Sequence, residues 1–156
     1  MQFFLVIALS FGIFVGVDSI SHAVVPDQPV LAKNKLAMNH DIFAGATRSY
    51  MANFPDNTGT YYWSSLKKYL APSMAGVSIP SYWRAVIYSP GHYVICTEMT
   101  EEEGKSLQKR SLDDTKIRVV KFNNSIQVIA SDSEAEVEAG KNKCNPAGSG
   151  GSGQTI

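Results

Sequence analysis

Fifteen consecutive residues, Phe3 to Val17, carry no charge, and the first ionised side chain is Asp18. A helix that is apolar on every face has no polar side to offer water, so such a stretch belongs in a bilayer or a translocon. At about 1.5 Å per helical residue, Met1 to Val17 covers roughly 25 Å against a hydrocarbon core of about 30 Å. Continuation through Ile20 to Val25, with Asp18, Ser19, Ser21 and His22 at headgroup depth, completes a tilted crossing. Ser21-His22-Ala23 also suits signal cleavage, but a secretory signal opens with basic residues, and here the first Lys is Lys33 and the first Arg is Arg48. Residues 1–25 are therefore expected as a retained membrane anchor. Release after cleavage near Ala23 is the alternative, and a core helix of a cytosolic protein stands third.

The remaining length, about 130 residues, suffices for one domain with its own core and not for two. Fourteen basic and fourteen acidic residues cancel, and no basic stripe interleaved with aromatics occurs, so the electrostatic footprint of nucleic-acid binding is missing. The expected organisation is an anchor over 1–25, an α+β extracytoplasmic domain over 26–145, and a flexible Gly/Ser-rich tail over 146–156.

Within the domain the apolar period changes once. Asp27-Gln28-Pro29 is a helix start, and Leu36, His40, Phe43, Thr47, Tyr50 and Phe54 then recur at four- and three-residue spacing until Pro55. After the loop Asp56-Asn57-Thr58-Gly59, Thr60 is expected to cap a second helix carrying Tyr62, Leu66, Tyr69 and Leu70 on one face before Pro72. From Tyr82 onward, aromatic and β-branched runs (82–88 and 93–99) flank Ser89-Pro90-Gly91-His92, the composition of a β-hairpin. Thr100-Glu101-Glu102-Glu103 matches a capping box for a short helix over about 101–111, with Lys105, Lys109 and Arg110 further along to suit the dipole. Ile117–Phe122 and Ser125–Ala130 form a second hairpin around Asn123-Asn124. The predicted fold class is α+β: a transmembrane helix, then amphipathic helices packed on a small antiparallel sheet in the order α, α, β, β, α, β, β.

Few constellations carry chemistry. Cys96 in a strand and Cys144 near the tail, behind an export segment, predict one disulfide in an oxidising compartment. A nucleophilic Cys96 would need a nearby base, and the surroundings of His92 supply no local pattern for one. None of His22, His40 and His92 pairs with another His, Cys or carboxylate at a zinc spacing, so no metal site is expected. An EF-hand loop counted from Asp132 would need Gly where Val137 stands, which leaves Asp132 to Glu138 as a solvated acidic face. Glu101 to Glu103 read as helix-start charges, because adjacent residues on a helix point in different directions. Phosphate-loop, hydrolase-elbow and zincin motifs are missing, and Asn123-Asn124-Ser125 is a glycosylation sequon short enough to arise by chance. No catalytic residue, no cofactor and no small-molecule substrate is expected.

Aromatic content stands in their place: Tyr61, Tyr62, Trp63, Tyr69, Tyr82, Trp83, Tyr88 and Tyr93 fall within 33 residues. Rings with polar tips serve cores and interfaces alike. Packing of the helices onto the sheet accounts for most of them, while Tyr61 and Trp63, off the face shared by Tyr62, Leu66 and Tyr69, are the candidate interface pair.

The opening Met-Gln-Phe-Phe-Leu-Val, a length near 150, and Tyr82-Trp83-Arg84-Ala85-Val86-Ile87-Tyr88 with Tyr93-Val94-Ile95-Cys96 together resemble the small PilM family encoded with the thin, type IVb pili of conjugative plasmids. The resemblance is diffuse, spans most of the chain and excludes the Gly/Ser tail. It implies an inner-membrane, periplasm-facing accessory of the pilin transport apparatus or pilus base, with other pilus-assembly proteins and pilin as partners and with no catalytic residues to carry over. The larger actin-like proteins that share the PilM name bind nucleotide in the cytoplasm and are far longer. A true type IV pilin shares the plan of apolar helix, antiparallel sheet and late disulfide, yet needs a basic leader, a processing site and an early Glu, whereas the first Glu here is Glu98. Three classes follow: a non-enzymatic membrane-anchored assembly subunit, an exported pilin-like structural or binding protein released near Ala23, and a periplasmic enzyme of unrecognised type.

Overall fold

The computed structural model describes residues 28–74, 76–110, 116–123, 125–146 and 153–156. Two compact units divide the chain, 1–31 and 32–156. The second is a three-layer α+β domain, built on one antiparallel sheet with helices on both faces. The expected anchor over 1–25 and Asp27 as the cap of the first helix lie outside the described residues. Among the described residues no helix is long and apolar enough to cross a membrane.

Helix α1 (Gln28–Asn53) carries the expected stripe: His40, Phe43, Thr47 and Tyr50 are all buried. The Thr47 hydroxyl reaches the core without cost because it donates to the Phe43 carbonyl one turn back at 2.9 Å. The helix stops where Pro55 can no longer continue it, and the Phe54 amide closes the last turn on Tyr50 O at 3.0 Å.

Strand β1 (Gly59–Tyr62) corrects the expected second helix. Thr60, Tyr61 and Tyr62 are strand formers, and the edge of β2 (Arg84–Ser89) offers them a full ladder from Gly59↔Ile87 to Tyr62↔Arg84. Only one turn of helix survives, α2 (Trp63–Leu66), running into a 3₁₀ turn at Lys67–Tyr69. The order is therefore α, β, α, β, β, α, β, β, α, β.

The remaining elements follow the chemistry of their turns and caps. β2 and β3 (His92–Glu98) form the expected hairpin, with Gly91 at φ +77°, where a side chain would be strained. In the capping box of α3 (Glu101–Arg110), the Thr100 hydroxyl accepts from the Glu103 amide at 3.3 Å and Glu103 accepts from the Thr100 amide at 3.0 Å. β4 (Lys116–Phe122) and β5 (Ser125–Ser131) pair in full register from Lys116↔Ser131 to Phe122↔Ser125. The acidic run keeps Asp132, Glu134 and Glu138 exposed, as expected of a solvated face, but it also forms α4 (Glu134–Gly140), a helix not expected from the sequence. Ser133 caps it by accepting from Glu136 N at 3.2 Å, and Glu134 and Glu136 sit in the first turn, where carboxylates suit the dipole. The tail, expected to be flexible throughout, ends in β6 (Gln154–Thr155), paired with the outer edge of β4.

The strands lie in the order β1-β2-β3-β5-β4-β6. Alternate residues feed two cores. Ala85, Ile87, Tyr93, Ile95, Val119 and Val128 pack under Phe43, Trp83 and Leu107, whereas Val94, Cys96, Val120, Phe122 and Ile129 pack under Val137 and Cys144. Burial on both faces explains why Tyr93-Val94-Ile95-Cys96 reads as an unbroken apolar run. Both α3 and α4 press close: a Cβ on Gly104 would stand 2.9 Å from Val128 Cγ2, and one on Gly140 would stand 2.3 Å from Val94 Cγ1.

Candidate functional site

Four rings gather where α1 ends. Tyr50 and Phe54 are one turn apart on the helix, with ring centres at 5.1 Å; β1 brings Tyr61 to 4.4 Å from Tyr50, and the 3₁₀ turn sets Tyr69 edge-on to Tyr50 and Phe54 at 5.2 and 5.6 Å. Their polar tips are held locally. Asn57 Nδ2 donates to the Tyr50 hydroxyl at 3.0 Å, and the Tyr61 hydroxyl donates to Thr58 O at 3.2 Å. Hydrogen bonding with Tyr50, then burial, pushes the Tyr61 phenol up to about 12. Lys68 Nζ stands 5.2 Å from the Tyr69 ring centre, near enough for a cation–π contact. Phe54 remains 39 % exposed. Stiff, amphipathic, half-exposed rings of this kind offer contact area at low entropic cost, which is the chemistry of a protein-binding surface.

The two sequence-nominated interface residues separate here. Tyr61 belongs to the half-buried ring cluster. Trp63 does not reach the surface: its indole packs 6.2 Å from Phe43 and donates to Val77 O at 3.0 Å in the interior, because β1 and the single turn of α2 direct it under α1. Helical phasing failed at this point because residues 59–62 are a strand. Phe54 and Tyr69 replace Trp63 in the candidate surface; in the sequence, the four-residue spacing of Tyr50 and Phe54 signalled the first and the aromatic run from Tyr61 to Tyr93 included the second.

Cys96 and Cys144, the predicted pair, are joined in a disulfide with their Cα atoms 5.3 Å apart. The bond fastens the 3₁₀ turn Lys141–Cys144 to β3, and Arg84 adds a hydrogen bond from its guanidinium to Cys144 O at 2.7 Å.

A second polar cluster lies at the junction of α1, β3, β5 and α4. Arg48 Nε meets Asp132 Oδ1 at 3.0 Å, and the Tyr93 hydroxyl donates to the same oxygen at 2.9 Å. Burial above all, with the Asp132 charge in support, raises the Tyr93 pKa. Ser131 Oγ stands 2.7 Å from Tyr93 O and 2.8 Å from Glu136 Oε2, while Glu136 Oε1 lies 3.0 Å from His92 Nδ1. The chemistry of these contacts is structural. A serine is activated when an imidazole takes its proton, but buried Ser131 faces a carboxylate and a carbonyl, and His92 meets only the far side of that carboxylate. No sequence pattern announced Arg48 with Asp132, which are 84 positions apart.

His40 sits inside the α1 core, 6.3 Å from Trp83, and burial first, then the Arg48 charge, lowers its pKa to about 4. Among the described residues no group of three His, Cys, Asp or Glu side chains is placed to hold a metal ion. An open groove of about 570 Å³ runs beside α1, lined by Ala37, Met38, Ile42 and Met74 with Asn34, Asp41 and Arg110. Comparison with protein-family models, with curated proteins and with solved structures found no match.

Proposed function

We propose that this chain is a non-enzymatic, membrane-anchored accessory component of type IVb pilus assembly, acting in the pilin transport apparatus or the pilus base. It works by binding other assembly proteins, pilin among them, from a domain on the periplasmic side of the inner membrane. The pilus address rests on the resemblance in the opening residues and in Tyr82–Cys96. The binding mode rests on the ring cluster of Tyr50, Phe54, Tyr61 and Tyr69, which keeps Phe54 and part of Tyr61 at the surface. In-cell crosslinking from Tyr61 tests it: assembly proteins should be captured in cells making the pilus, and capture of none of them would remove the support.

One feature favours a second reading, an exported pilin-like structural subunit. A long helix laid on an antiparallel sheet, with a late segment tied back by a disulfide, is the plan such a subunit would use. Intact mass separates the two. An anchored protein retains Met1 to Val25, and the exported one begins near Val24.

A further inference from the structure

Residues 153–156 dock on the sheet through their main chain. Gly153–Ile156 lies on the outer edge of β4, in register Val120↔Thr155 and Lys121↔Gln154, and the Ile156 amide donates to Val119 O at 3.0 Å. The side chains of Gln154 and Thr155 are exposed, so recognition comes from the main chain and from one socket. That socket takes Gly153: it is buried, and a Cβ there would stand 2.4 Å from Val120 Cγ1 and 2.7 Å from Phe122 Cε1. Only a residue without a side chain fits.

By sequence, six residues, Ala147-Gly148-Ser149-Gly150-Gly151-Ser152, link this strand to Pro146. A two-residue strand is marginal by itself, and it opens more readily than the core strands. Its pairing is carried by backbone groups and a glycine, and a second copy presents the same groups. We infer that the outer edge of β4 is a strand-acceptor site, and that the tail Gly153–Ile156 of a second copy occupies it by exchange, linking copies of this chain. Exchange conserves every contact of the tail, so the balance between self-docking and exchange is set by effective concentration, in the millimolar range for a short tether. Copies crowded in one assembly reach that range; dilute copies do not.

The geometry supplies a decisive variant. The disulfide holds Cys144 over Cys96 in β3, and Gly153 lies three strand positions away, across β5 and β4, and four residues further along. At about 4.8 Å per strand and about 3.3 Å per residue that is roughly 19 Å. The nine residues from Cys144 to Gly153 reach about 30 Å, but deletion of residues 148–152 leaves a reach of about 14 Å. The shortened tail cannot arrive at its own edge.

The full chain lacking 148–152 is therefore expected to be a dimer at micromolar concentration by light scattering, where the unaltered chain is a monomer. Adding Gly153→Val should return it to monomer. A second measurement uses the full-length G153V protein, whose own tail is displaced. It should bind a fluorescent peptide of residues 147–156, and should bind the same peptide carrying valine at 153 at least tenfold more weakly. A monomeric deletion variant with its disulfide intact, a dimer that survives G153V, or equal binding of the two peptides would each overturn the inference. If the deletion variant does not fold, the peptide comparison alone decides.

Discussion

Inside the core beneath α1, the imidazole of His40 is fully buried and titrates near pH 4, against an ordinary value near 6.5. The unfolded chain binds this proton more readily than the folded one between those values, so His40 contributes stability above about pH 6.5 that is lost as the pH falls toward 4. The difference corresponds to about 3 kcal/mol. Urea titrations across this window should show that loss in the unaltered protein, and a smaller loss by about that amount in His40→Leu; parallel pH profiles for the two would contradict it. The Cys96–Cys144 bond closes a loop with a sequence separation of 48. Loop entropy places its worth at up to about 4 kcal/mol, so replacing both cysteines by Ala should cost roughly 2–4 kcal/mol in the same assay. An unchanged midpoint would show that the tie adds nothing. All three residues were legible in the sequence, Cys96 and Cys144 as a pair and His40 as part of a stripe. The electrostatic cost of His40 was not, because it depends on Trp83 and the sheet closing over it.

At the scale of elements, local chemistry decided correctly at several turns and caps. Gly91 makes the first hairpin, Thr100 and Glu103 cap α3, and four-and-three spacing places His40, Phe43, Thr47 and Tyr50 inside. It failed where tertiary pairing outweighs propensity. Thr60 to Tyr62 join β2 as a strand, which turns Trp63 inward, and Glu134 to Gly140 become a helix because Val137 and Gly140 have a sheet face to cover. The close approach of α4 gives a direct test of that packing. Gly140→Val would force atoms into Val94 and should destabilise the domain by about 1–3 kcal/mol, and a neutral effect on the thermal midpoint would mean that α4 can move away freely. Trp63→Ala should cost about 3–5 kcal/mol as a core truncation, so its effect on any binding assay reports unfolding. Phe54→Ala with Tyr61→Ala is the better probe of the ring surface. Hot-spot truncations typically cost about 2 kcal/mol or more of binding, so this pair should abolish partner crosslinking at unchanged abundance. Undiminished crosslinking would move the interface elsewhere.

For the molecule as a whole, the proposed role draws on an apolar first segment in the sequence, a disulfide between Cys96 and Cys144 and a half-exposed ring cluster. The unit formed by residues 32–156 carries its own two cores. Alkaline extraction of membranes should leave the chain with the lipid fraction at its full mass; a soluble protein starting near Val24 would shift the account to the exported subunit. The role in assembly has one more direct measurement. Thin pili counted by electron microscopy on cells lacking this chain should be absent and should return when the unaltered chain is supplied, whereas normal piliation in its absence would contradict the proposed function.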